Sequence, residues 1–389
     1  MKREAFEQPA AAAPAPAPAP RLRLLSGLLA DAGITLDGDA PCDLQMRNPR
    51  LPERVFAYGS LGLGEAYMDG DWEAERLDEL FARLLRARLD TRVKPASLLM
   101  HAFSARLLNR QTPRRAWQVG ERHYDLGNDF YAAMLDPRMT YTCGYWQDAA
   151  DLGSAQEAKL ELICRKLDLR PGMHLLDIGC GWGSLLGYAA ERHGVRGTGV
   201  TVSREQAEWA QQRYAGLPVE FRLQDYRELD GSQTFDRVAS VGMFEHVGRR
   251  NFRTFMQVVR RALAPDGLAL LHTIGKNTRR GVTDPWIDRY IFPNGELPSI
   301  GQIGDAVDDV FVVEDLHSFG ADYDRTLMAW HANFEAAWPQ FADRLGERFH
   351  RMWRYYLLSC AGAFRARDIQ LWQWVLSPRG VPGGYRSAR

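Results

Sequence analysis

A chain of 389 residues, 46% of them apolar or aromatic, can bury a substantial core as one large domain or two ordinary ones. Its 49 Lys and Arg balance its 49 Asp and Glu, so bulk charge draws it to neither nucleic acid nor an anionic membrane. No uncharged apolar run reaches the roughly 18 residues of a spanning helix, so any membrane contact has to be local.

Met1-Lys2-Arg3-Glu4 leads into no apolar stretch, and a secretion signal is not expected. Cys42, Cys143, Cys164, Cys180 and Cys360 are irregularly spaced, without a CxxC pair. That argues against a disulfide framework or a zinc site, and for a reducing cytoplasm. Residues 1–20 end in a run of only Ala and Pro from Pro9, which cannot pack and is expected to be a disordered tail. Residues 21–110 read as a small, mainly helical N-terminal domain. One helix starts over Arg21–Leu25, and Leu77, Leu80, Phe81, Leu84 and Leu85 have helical spacing. Between them Gly62–Trp72 reads as turn-rich. Arg106–Arg115, with Pro113, reads as a linker.

From residue 111 to 389 strand and helix patterns alternate. The expected strands are His174–Ile178, Gly197–Val202, Val219–Leu223, Asp236–Val241 and Leu268–Thr273. Helices are expected over Arg204–Tyr214 and Phe252–Leu263. This alternation predicts an α/β fold, doubly wound, with a mostly parallel sheet and its ligand site beyond the carboxyl ends of the strands.

Leu175-Leu176-Asp177-Ile178-Gly179-Cys180-Gly181-Trp182-Gly183-Ser184 is a buried strand, a glycine turn and a helix start. The glycines Gly179, Gly181 and Gly183 form GxGxG, and Ser184 stands where a dinucleotide fold would place its third glycine. S-adenosylmethionine is favoured over NAD or FAD, with Asp177 at the strand end. The second strand ends in Thr201, Val202, Ser203 and Gln206, without the acidic ribose ligand of many nucleotide folds. Thr201 and Gln206 would then bind the hydroxyls, although Gln206 also fits a capping box begun by Ser203. After the third strand, Asp225 could accept from the adenine amine with Tyr226 against the ring, or Asp225 could simply shape a turn.

Nine segments, in order, resemble the bacterial cyclopropane-fatty-acyl-phospholipid synthases along nearly the whole chain. They are Gly62–Trp72, His123–Phe130, Thr140–Trp146, Leu175–Ser184, Val241–Gly248, Leu271–Gly275, Tyr290–Gly295, Gly320–Asp324 and Ser359–Arg367. The resemblance implies a seven-stranded sheet of the class I methyltransferase type. It implies methyl transfer from S-adenosylmethionine to a cis double bond in the unsaturated acyl chain of a membrane phospholipid, closing a cyclopropane ring. A bound bicarbonate would be the base, held by Cys143, Glu245, His272, Tyr323 and the backbone of Ile274. Tyr141 and Thr142 join the cofactor-binding set, and no metal is implied.

An alkene is a weak nucleophile, so the sulfonium methyl has to be held in line with it. Addition leaves a cationic carbon, which calls for a dry pocket and aromatic faces. Tyr141, Tyr145, Trp146, Phe244 and Tyr323 lie in the matching segments, some of them as ordinary core. Cys360 occupies the family's proposed active-site cysteine position, on a predicted helix between Tyr356 and Phe364. That apolar setting disfavours a thiolate and makes Cys360 a pocket wall. His246 and Cys180 read as structural. The resemblance further implies a homodimer and peripheral membrane contact, in which the N-terminal domain (residues 21–110) and Arg106–Arg115 would rest on headgroups, unless that basic stretch is a plain solvated face. An amine methyltransferase would leave the bicarbonate cluster without purpose. A non-catalytic lipid binder would not need both the glycine loop and the Glu245–His272 pair.

Overall fold

The computed structural model describes residues 20–93, 126–279 and 283–389. Arg106–Arg115, His123–Asp125 and all but the last residue of the Ala/Pro tail lie outside these.

The chain opens with α1 (Pro20–Asp31). A short antiparallel ribbon, β1 (Gln45–Met46) with β2 (Trp72–Glu73), brackets α2 (Leu51–Tyr58) and α3 (Ser60–Met68). Helices α4 (Leu77–Arg86) and α5 (Leu89–Arg92) follow. The turn-rich reading of Gly62–Trp72 is corrected by α3. Each glycine weakens a helix by about 1 kcal/mol, yet packing outweighs that here. A Cβ on Gly62 would run into the Arg54 carbonyl oxygen of α2, and one on Gly64 into the fully buried Trp286 ring. These glycines let helix and ring approach closely. Gly64→Ala is accordingly expected to destabilise the protein by about 1–3 kcal/mol, despite alanine's better helix propensity. Chemical denaturation checks this; a stabilised variant would show that Trp286 can yield.

Beyond residue 125, α6 (Asn128–Met134) and α7 (Leu152–Lys166) precede the sheet. A capping box starts α7, with Asp151 and Ser154 satisfying each other's backbone N–H. The strands are β3 (His174–Ile178), β4 (Arg196–Thr201), β5 (Val219–Leu223), β6 (Phe235–Val241), β7 (Leu263–Lys276), β8 (Val312–Ser318) and β9 (Ile369–Ser377). Their connections carry α8 (Ser184–His193), α9 (Arg204–Arg213), α10 (Phe252–Ala262), α11 (Pro285–Tyr290), α12 (Ile300–Val307), α13 (Ala321–Ala337) and α14 (Ala342–Arg365).

The sheet order is β5-β4-β3-β6-β7-β9-β8. The first five strands are parallel, and β9 runs antiparallel to both neighbours. This is the expected doubly wound, mostly parallel arrangement. Strand β7 outruns its predicted span at both ends, where Leu263 pairs with Phe235 of β6 and Ile274–Lys276 pair with β9. Chain order reverses between β3 and β6, so their carboxyl ends open a crevice.

Alternate strand residues feed two cores on opposite sheet faces, Leu176 and Ile178 on one and Leu175 on the other. A third core unites the N-terminal helices with α13 and α14, joining Leu25, Tyr67, Trp72 and Leu80 to Trp330, Trp353 and Tyr355. Arg365 of α14 bridges the same junction. It donates to Asp78 of α4 at 2.6 Å and to both oxygens of Asp324 at 2.9 Å.

Candidate active site

The glycine loop after β3 uses left-handed backbone at all three glycines, with φ of 83°, 54° and 81° at Gly179, Gly181 and Gly183. Their surroundings differ. A Cβ on Gly179 would meet Met243 at 2.6 Å, and one on Gly183 would meet the Phe221 ring at 2.6 Å. Around Gly181 nothing stands within 4 Å, because it borders an open cleft. Gly183 lies behind the loop, off the cleft wall, at the cap of α8. Packing of the Phe221 ring of β5 against it already requires a glycine there.

The cleft follows the carboxyl ends of the strands. Its wall includes Tyr141, Thr142, Asp177, Gly179, Gly181, Thr201, Val202, Gln206, Asp225 and Tyr226. Asp177 is buried, its Oδ1 has no partner, and burial pushes its carboxyl up to about 7. The two readings of Gln206 separate. Ser203 Oγ accepts from the Gln206 backbone N–H, but the Gln206 side chain turns to the cleft, where Oε1 accepts from the Thr201 hydroxyl at 3.1 Å. Asp225 does shape a turn, accepting the Arg227 backbone N–H at 2.9 Å and holding its guanidinium at 2.9 and 2.6 Å. It does so on the cleft wall beside Tyr226.

A second polar group lies off the lining of this cleft: His272 sits opposite the cleft residue Val241 in the sheet, and Glu245 is tied to Ile274 on the same strand as His272. Cys143 follows the cleft residue Thr142, and Glu245 precedes the cleft residue His246 in the turn after β6. Glu245 Oε1 accepts the Ile274 backbone N–H at 2.6 Å, while Oε2 is buried without a partner. That N–H is thus occupied by Glu245, and the Ile274 carbonyl accepts from the Thr273 hydroxyl at 3.0 Å. Burial lifts the Glu245 carboxyl to about 7 against the pull of the Ile274 N–H. On β7, His272 Nδ1 accepts from Gln373 Nε2 at 3.2 Å, which leaves Nε2–H as a buried donor with no partner. Burial holds this imidazole neutral. Tyr323 of α13 is buried and stacks on Phe364 at 4.5 Å; its phenol stays protonated. The Cys143 thiol, also kept protonated by burial, donates to the Gly144 carbonyl at 3.2 Å.

The mycolic acid cyclopropane synthetase family model matches residues 111–374. The cyclopropane-fatty-acyl-phospholipid synthase of Escherichia coli (strain K12) is 55% identical over 374 residues, covering 94% of this chain and 96% of that protein. The chain belongs to the cyclopropane synthetase family. Among solved structures, the cyclopropane synthase MmaA2 from Mycobacterium tuberculosis is 31% identical with a TM-score of 0.64, covering 69% of this chain and 99% of that one. Mycolic acid cyclopropane synthase CmaA1, solved with SAH and CTAB, is 34% identical with a TM-score of 0.63, covering 67% and 97%. The protein is an S-adenosylmethionine-dependent methyltransferase of this family.

Other residues quoted for the cyclopropane synthetase resemblance divide by position. Cys360 sits on α14, off the cleft wall, with its thiol pushed up to about 12 by burial. The Tyr141 and Tyr356 hydroxyls meet at 3.0 Å. Phe244 instead stacks on Phe252 at 4.4 Å in a sheet core, as packing. His246 and Cys180, read as structural, both line the cleft, and His246 Nδ1 has no partner. Two residues were missed, Lys159 on the cleft wall and Gln373 behind His272. Lys159 carried a signal, a lysine on the buried stripe Ala155–Lys159–Leu162–Lys166 of α7.

Proposed function

We propose that the enzyme methylates the cis double bond of an unsaturated acyl chain in a membrane phospholipid and closes a cyclopropane ring, with bicarbonate as the base. The observation carrying this reading is that Glu245 Oε2 and His272 Nε2 are both buried without a partner, with Glu245 anchored to Ile274, two residues along β7 from His272. An acceptor and a donor without partners suit a small anion that carries its own hydroxyl. The partnerless Asp177 Oδ1 suits the ammonium of S-adenosylmethionine in the same way. In this reading the cleft residues bind S-adenosylmethionine, which supplies the methyl cation equivalent, and bicarbonate supplies the base.

His272 Nε2–H and the Tyr323 phenol would donate to the anion. Glu245 Oε2 would accept from its hydroxyl and so set its orientation. The aromatic faces of Tyr141 and Tyr323 would shelter the cationic carbon from water while a proton leaves the added methyl. The E. coli relative is named for an acyl-phospholipid substrate, which supports a lipid over a free acid. None of the described helices is long and apolar enough to cross a membrane. Action from the cytoplasm on the inner membrane face, by peripheral contact and as a homodimer, completes the proposal.

Phospholipid vesicles incubated with enzyme and S-adenosylmethionine test it by mass spectrometry and NMR. The expected product gains one CH2 and loses its olefinic signal. Methyl gain with an olefin retained would overturn ring closure. Cys360→Ala is expected to keep measurable cyclopropanation, because a protonated thiol off the cleft wall is a poor nucleophile. Loss of all activity in a folded variant, together with an acyl adduct trapped on Cys360, would reverse that reading.

A further inference from the structure

Helix α7 places two fully buried lysines on one stripe, and they are treated differently. Lys166 has Asp315 at 3.6 Å and His317 Nδ1 at 3.0 Å. Lys159 has no carboxylate within ion-pair distance among the described residues. Its Nζ donates to the Thr142 hydroxyl at 2.9 Å, which uses one of three N–H donors.

The nearby charges do not complete it. Asp136 spends its oxygens on the backbone N–H groups of Thr140 and Arg138, at 2.8 and 2.9 Å. Burial keeps the Cys143 thiol protonated and pushes the Asp177 carboxyl up to about 7. A buried ammonium without a counter-ion is costly unless an anion arrives. Lys159 lines the cleft with Thr142 and Asp177; Asp177 stands on β3, whereas Asp225 and Tyr226 follow β5, two strands away in the sheet.

We propose that Lys159 anchors the α-carboxylate of the cofactor's methionine moiety, next to Asp177. The inference rests on the cleft being the cofactor site. Burial draws the Lys159 ammonium down to about 8, so it is still cationic at neutral pH. The cofactor carries a single carboxylate, and among the described residues Lys159 is the cation of the cleft wall without a carboxylate partner, since Arg227 pairs with Asp225.

Calorimetry with S-adenosylhomocysteine and its decarboxylated analogue, in which hydrogen replaces the carboxylate, tests this. Wild-type enzyme should bind the decarboxylated analogue at least about tenfold more weakly, as for a lost charged hydrogen bond. Lys159→Gln should weaken S-adenosylhomocysteine by about the same factor and leave the analogue within about twofold, so that discrimination collapses. Lys159→Met is the second variant should the amide disturb folding, and the wild-type comparison needs no variant. Equal wild-type affinities, an equal loss for both ligands, or retained discrimination with a raised bicarbonate requirement would each overturn the assignment. A wild-type protein that binds neither ligand would overturn the cleft reading as well.

Discussion

Glu245→Gln is expected to lower turnover by about 10²–10⁴-fold while S-adenosylhomocysteine affinity stays within about twofold. The amide oxygen can still accept the Ile274 N–H, so the turn after β6 keeps its anchor. The outward position becomes an NH2 donor and no longer accepts from the hydroxyl of the anion. Because burial places the Glu245 carboxyl at about 7, its accepting, ionised form grows as pH rises through that value. Wild-type turnover at saturating bicarbonate should therefore climb through pH 7 and level off above it, and the Gln variant should lack this limb. Turnover indifferent both to the substitution and to removal of bicarbonate would give the cluster another purpose.

Gly181→Val is expected to abolish cofactor binding, by at least about 100-fold, without unfolding the protein. No side chain opposes the new group, so the protein tolerates it sterically. A φ of 54° costs a β-branched residue about 1–2 kcal/mol, a small part of the stability of a chain this size. The isopropyl group would instead fill the space bordering the cleft. Calorimetry with S-adenosylhomocysteine reads the result directly. Undiminished binding in the variant would move the cofactor away from this loop.

Strands β3 and β5 were legible to the residue because an apolar run in β3 and an apolar–charged alternation in β5 end at glycine, proline or polar turns. Strands β8 and β9 gave no such pattern. Half-exposed β8 reads VVEDLHS at the sheet edge. β9 is buried on both faces, with Trp374 in one core and Val375 in the other, so its period is lost. Glycines in α3 looked like turns because the sequence announces neither the Arg54 carbonyl as the neighbour of Gly62 nor Trp286, more than 200 residues away, as that of Gly64. The cluster of Cys143, Glu245, His272 and Tyr323 draws on four distant segments. Spacing alone could put Glu245 and His272 near neighbouring strand ends; the resemblance supplied the rest. Gln373 escaped because only the β7–β9 register sets it opposite His272.

The third core leaves no seam between the N-terminal helices and the long helices α13 and α14. Tyr67 and Trp72 share it with Trp330, Trp353 and Tyr355, and Arg365 ties Asp78 to Asp324 across the same ground. Elements that bury one another's side chains open together. The amides of α3 and α14 should therefore exchange with solvent at a common free energy, and heating should melt both in a single step. The helix that bears Cys360 thus takes its rigidity from a stretch of chain nearly three hundred residues earlier.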